Sequence, residues 1–133
     1  MTNIAFFEPA YAAHNQRDWE SLLGDLHERA SITLLMRDLP PGDDEHRKRL
    51  ETAHGVRFAK IDALEDAGQH AAEMLAADYG AAIDDHAPDI VSTLNGRMIG
   101  YNYALARAAR AAGVDYVYRI AGNDIATQTA VQE

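Results

Sequence analysis

The stretch that decides the fold is Asp89-Ile-Val-Ser-Thr-Leu-Asn-Gly-Arg-Met-Ile-Gly100, then an alanine-rich run, then Val114-Asp-Tyr-Val-Tyr-Arg-Ile-Ala-Gly-Asn-Asp124. Residues 90–94 form a short β-prone run that Asn95-Gly96 breaks. Over 98–112, Met98, Leu105, Ala108, Ala109 and Ala112 fall near helical spacing, and Gly113 supplies a stop. Residues 116–120 make a second β-prone run, which ends in Gly122-Asn123-Asp124. Two strands joined by one close-packing helix predict a right-handed βαβ unit with parallel strands. In such sheets ligands gather at the carboxyl ends of the strands. There this chain concentrates Asn, Arg, Gly and Asp.

Working outward, residues 4–7 (Ile-Ala-Phe-Phe) are continuously apolar, as in a strand covered on both faces. Asn15 fits an N-cap, with Asp18 three residues on. Trp19, Leu22, Leu23 and Leu26 then make one helical face. Residues 32–36 read as a second strand, 39–44 as a loop around Pro40-Pro41-Gly42, and 45–52 as a short, charged surface helix. Residues 56–61 give a third strand ending at Asp62. A long helix follows over 66–86, with Ala71, Met74, Leu75, Tyr79, Ala82 and Ile83 inward; Gly80 weakens it and Pro88 ends it. The alternation predicts one Rossmann-like three-layer α/β/α domain over 1–124, with a parallel sheet of about five strands in the order 3-2-1-4-5. Residues 125–133 lack a clear period and read as a tail or the start of a further element.

Composition bounds the function. The 133 residues hold 12 basic and 21 acidic side chains, a formal net charge of −9. A duplex would repel such a chain, which argues against nonspecific nucleic-acid binding. No apolar run approaches the roughly 20 residues that span a bilayer. No signal-peptide core precedes the first strand. There is no Cys, so disulfides and thiolate metal sites are excluded, which fits a reducing cytoplasm.

The order 3-2-1-4-5 opens a crevice between the first and fourth strands. The loop 8–14, from Glu8 to His14, then faces the loop 95–100. Gly96 and Gly100 leave room for a ligand near the backbone, and the following helix aims free N–H groups at an anion. Asn95, Gly96 and Arg97 are thus candidates for holding a phosphate or carboxylate; the same Asn-Gly also serves as a plain turn. Arg119, Gly122 and Asp124 end the fifth strand and are candidates for polyol hydroxyls or phosphate, unless Arg119 and Asp124 pair with each other or with Glu8. Glu8 is a candidate base, although nothing in the sequence supplies a partner to raise its pKa. Of the six His residues, only His14 borders the crevice, and the others read as helix-surface or loop residues. No zinc spacing, G-x-G-x-x-G, P-loop or G-x-S-x-G is present, so neither a metal nor NAD or FAD is expected.

Pro88-Asp89-Ile90-Val91, Asn95, the helix closing Arg110-Ala111-Ala112-Gly113-Val114, and Tyr118-Arg119-Ile120-Ala121-Gly122-Asn123-Asp124 together resemble the N-terminal half of a GT-B glycosyltransferase of the GT4-like kind, glycosyl transferases group 1. The opening strand, its helix and Thr33-Leu34-Leu35-Met36 fit the same half less specifically. The resemblance implies transfer of a sugar from a nucleotide-diphosphate sugar to an acceptor hydroxyl, with no other cofactor. It further implies that this domain holds a sugar, polyol or lipid-linked acceptor, while a C-terminal domain holds the donor. Asn95, Gly96, Arg97, Arg119, Gly122 and Asp124 would line the cleft wall.

Two departures bear on that expectation. The loop after the first strand has none of the glycines that approach donor phosphates in the family. The donor-binding half with its Glu-x7-Glu element also has no place in 133 residues; the Glu20/Glu28 and Glu65/Glu73 pairs match the spacing but read as solvated helix faces. The resemblance therefore implies a fragment or split subunit, cytoplasmic or peripheral at the membrane and inactive alone. The alternative is a stand-alone flavodoxin-like signalling domain, receiver-like, with Asp62 as phosphoacceptor. Against it, the first strand ends in a single Glu and the fifth in Arg119 instead of Lys.

Overall fold

The computed structural model describes residues 1–8, 16–61, 69–93 and 99–118. Five strands, β1 (Thr2–Phe7), β2 (Ala30–Met36), β3 (Arg57–Lys60), β4 (Ile90–Ser92) and β5 (Asp115–Val117), form one sheet in the order β3-β2-β1-β4-β5. Every neighbouring pair is parallel. The helices are α1 (Gln16–Leu26), α2 (Glu45–His54), α3 (Gln69–His86) and α4 (Ile99–Ala112). This is the Rossmann-like arrangement the alternation predicts. It differs from the 2-1-3-4-5 order of flavodoxin-like domains, which removes the fold on which the receiver-like alternative rests.

The continuous apolar run of β1 divides by alternation between two cores. Ala5 and Phe7 face Leu35, Val91, Leu75, Tyr79 and Leu105, on the side of α3 and α4. Phe6 faces Trp19, Leu23, Leu34 and Leu50, on the side of α1 and α2. Successive strand residues point to opposite faces, so a strand buried on both sides must be apolar at every position. Each fully buried large side chain contributes about 1.5–3 kcal/mol relative to exposure.

Local signals set the helix ends. Asp44 accepts a hydrogen bond from the Arg47 N–H at 2.9 Å and caps α2. Gly55 closes α2 at φ 62°, a left-handed conformation that costs a side-chain-bearing residue energy. The charged sequence of α2 predicts a surface helix, yet His46 and Leu50 are buried, because α2 lies against the core of α1 and β2. Helix α3 runs through Gly80 without a break and stops at His86. Ala87 sits at φ 47°, the left-handed conformation that commonly closes a helix, and its N–H still donates to the Ile83 carbonyl. The Asp89 N–H then donates to the Asn3 carbonyl and the Asn3 N–H to the Asp89 carboxylate, each at 2.8 Å. That exchange sets the start of β4 against β1.

Leu105, Ala108 and Ala109 of α4 are buried as the spacing predicts, Ala104 is buried with them, and Ala112 is exposed; Met98 lies outside the described residues. The helix ends at Ala112, with Gly113 left-handed at φ 69°. Among the described residues no helix is long and apolar enough to cross a membrane. The expected boundary at 124 and the tail 125–133 lie outside the described residues.

Candidate functional site

Chain direction diverges at β1: β2 and β3 lie to one side, β4 and β5 to the other. The carboxyl ends of β1 and β4 therefore border the crevice of a parallel sheet. Glu8 follows β1 directly and is only 2% exposed. Its N–H continues the ladder, donating to the Leu35 carbonyl at 2.8 Å. Burial of a carboxylate is costly unless polar groups receive it, so this position is set apart from the solvated carboxylates that commonly end strands.

A buried polar network ties β4 and β5 to α4. Thr93, the residue after β4, donates its hydroxyl to Asn102 Oδ1 at 3.0 Å. Tyr116 of β5 donates its phenol to the same oxygen at 3.0 Å. Thr93 is 3% and Asn102 7% exposed. The two donors occupy both lone pairs of the amide oxygen. One strand residue away, the Ser92 hydroxyl donates to the Val117 carbonyl at 2.5 Å. The Tyr116 hydroxyl is pushed up to about 12, chiefly by burial and secondarily by the neighbouring Tyr118. It therefore stays a donor throughout the physiological range.

Of the residues that the sequence singles out, Glu8 stands at the crevice. His14, Asn95, Gly96, Arg97, Arg119, Gly122 and Asp124 lie outside the described residues, as does Asp62. Thr93, Asn102 and Tyr116 escape a reading of the sequence. The one signal was Asn102, a polar residue three before Leu105 and seven before Ala109 on the apolar stripe of α4.

A second polar cluster lies away from this edge, between α1 and α2. Glu20 accepts from Arg49 at 3.0 Å, and His54 stands 3.9 Å from the same carboxylate. The hydrogen bond from Arg49 holds the Glu20 carboxyl below its usual range, against a smaller opposing push from burial. Glu20, expected on a solvated face, is thus an ion-pair partner joining two helices. His46 likewise departs from the expected surface position, being 3% exposed. Among the described residues no group of three or more His, Cys, Asp or Glu side chains could hold a metal ion.

With this geometry the chain can be set beside known proteins. No protein-family model matches it, and no curated protein does so either. Solved structures do. A glycosyltransferase from Rickettsia africae ESF-5 superposes with TM-score 0.62 at 13% identity, over 88% of this chain and 29% of that one. MurG of Acinetobacter baumannii gives 0.59 at 13%, over 98% and 39%. A UGT transferase from Siraitia grosvenorii, in complex with UDP, gives 0.56 at 16%, over 90% and 28%. The fold is Rossmann-like, and these neighbours are GT-B glycosyltransferases. The chain spans less than two fifths of the length of each. A universal stress protein in complex with cAMP also superposes, with TM-score 0.51 at 11% identity, over 91% of this chain and 98% of that one.

Proposed function

We propose that this chain is the acceptor-side half of a GT-B glycosyltransferase of the GT4-like kind, working in the cytoplasm or at the membrane periphery. The observation that carries the reading is the buried Glu8 at the end of β1, with the Thr93–Asn102–Tyr116 network at the end of the neighbouring strand β4, on a fold whose neighbours are glycosyltransferases. In the proposed reaction an acceptor hydroxyl displaces the nucleoside diphosphate from a nucleotide sugar. A separate domain or subunit binds that donor, and this half takes up a sugar, polyol or lipid-linked acceptor. Glu8 accepts a hydrogen bond from the acceptor, by the resemblance Asn95, Gly96, Arg97, Arg119, Gly122 and Asp124 complete the wall, and His14 joins them by the position of its loop. No other cofactor is required. Transfer then needs the donor-binding partner.

The test is an NMR titration of the isotope-labelled chain with simple hexoses, glycerol phosphate and UDP. Shifts at Thr93, Asn102 and Glu8 with the first two support the reading, and Glu8→Gln weakens them about tenfold, as loss of one hydrogen-bonding carboxyl does. Silence toward all three refutes it. A second reading is favoured by the near-complete overlap with the universal stress protein: a free-standing nucleotide-binding domain. Shifts with cAMP or ATP, and none with sugars, would select it.

A further inference from the structure

We propose that Asn102 is a positioning residue, whose single amide oxygen fixes the axial register of α4 against the carboxyl ends of β4 and β5. The inference starts from the smoothness of the surfaces that α4 packs with. Its buried stripe is Ala104, Leu105, Ala108 and Ala109, in which Leu105 is the single large side chain among small methyl groups, so apolar packing alone constrains the axial register at one point. Hydrogen bonds constrain it further, because they fail beyond about 3.5 Å and away from line.

Asn102 Oδ1 takes the Thr93 hydroxyl from β4 and the Tyr116 hydroxyl from β5, each at 3.0 Å. It thereby ties the first turn of α4 to two strands at once. An apolar side chain at this 7%-exposed position would avoid the desolvation of an amide. A lone buried polar residue that sets register at some cost in stability is the best-attested use of such groups. The residues pinned are the described flanks of the connection between β4 and α4, namely Thr93 on one side and the first turn of α4 on the other. Slippage of α4 would therefore reshape the crevice. Only the consequence for ligand rests on the proposed function; the register claim stands on the hydrogen bonds alone.

The test uses the full chain with Asn102→Leu, which keeps a side chain of similar size, and residue-resolved amide hydrogen exchange. Cooperative unfolding in urea is expected to persist. Exchange of amides in the first two turns of α4 and in β4 rises about ten- to a hundredfold, the equivalent of two lost hydrogen bonds, while β1 and β2 stay within about threefold of wild type. Thr93→Val and Tyr116→Phe each remove one hydroxyl and are expected to give part of the same local change, which carries the test should Asn102→Leu fail to fold. Unchanged exchange, or an increase spread evenly over all strands, would overturn the proposal and leave Asn102 a simple core residue. Titration with simple hexoses and glycerol phosphate separates the two ideas. Wild type that ignores both counts against the acceptor site proposed above, while the local exchange pattern still supports the register role.

Discussion

Removing the Tyr116 hydroxyl tests the polar network without disturbing its shape. In Tyr116→Phe the ring stays against α4, and Asn102 Oδ1 keeps its bond from Thr93, so no buried acceptor is orphaned. Near neutral pH the variant should lose about 1 kcal/mol, the net value of one hydrogen bond. Alkaline pH changes the comparison. Burial raises the Tyr116 hydroxyl to about 12 in the folded chain, against about 10 for an unfolded tyrosine. A raised folded-state value means that the native state holds this proton more tightly. The contribution is therefore complete below pH ~10 and is lost as pH rises through the folded value of about 12. Two pH units at about 1.4 kcal/mol each set an upper limit of about 2.7 kcal/mol. The ring is only half-buried, and solvent screening reduces the expected swing to about 1.5 kcal/mol. Urea denaturation of both proteins from neutral pH upward should show wild type ahead by about 1 kcal/mol, the lead shrinking above pH ~10 and slightly reversed by pH ~12. A difference that stays constant over that range would refute the assignment of Tyr116 as a desolvated donor.

Two further outcomes test the rest of the fold. Leu105→Ala, at a fully buried position between α4 and the sheet, should cost about 2–5 kcal/mol in urea unfolding, since the neighbouring alanines cannot fill the space; a loss below 1 kcal/mol would mean that α4 collapses onto the sheet freely. Arg49→Gln should remove the hydrogen bond that lowers the Glu20 carboxyl. Wild type carries this contribution above the ordinary carboxylate range and loses it as pH falls through the lowered folded value, so the variant should show a shallower acid limb of stability. The effect is small at an exposed pair, and identical acid limbs would count against the pairing.

How much of the candidate site could be read in the sequence depends on what each residue does with its neighbours. Glu8 is found by position alone, at the end of the first apolar run. Thr93, Asn102 and Tyr116 are not, since each is separately unremarkable and their meaning lies in one shared oxygen. The same holds for Glu20 and His46, which read as surface residues until α1 and α2 are laid side by side.

The sequence by itself determined the alternation of strands and helices, because periodicity and Gly or Pro stops act within a few residues of where they stand. It also determined the parallel sheet, because strands separated by helices pair that way with one hand of crossover. Tertiary structure alone decided which polar groups are buried and with whom. That choice joins residues 93, 102 and 116 through contacts made only once α4 lies on the sheet, and no local pattern encodes a distance between them.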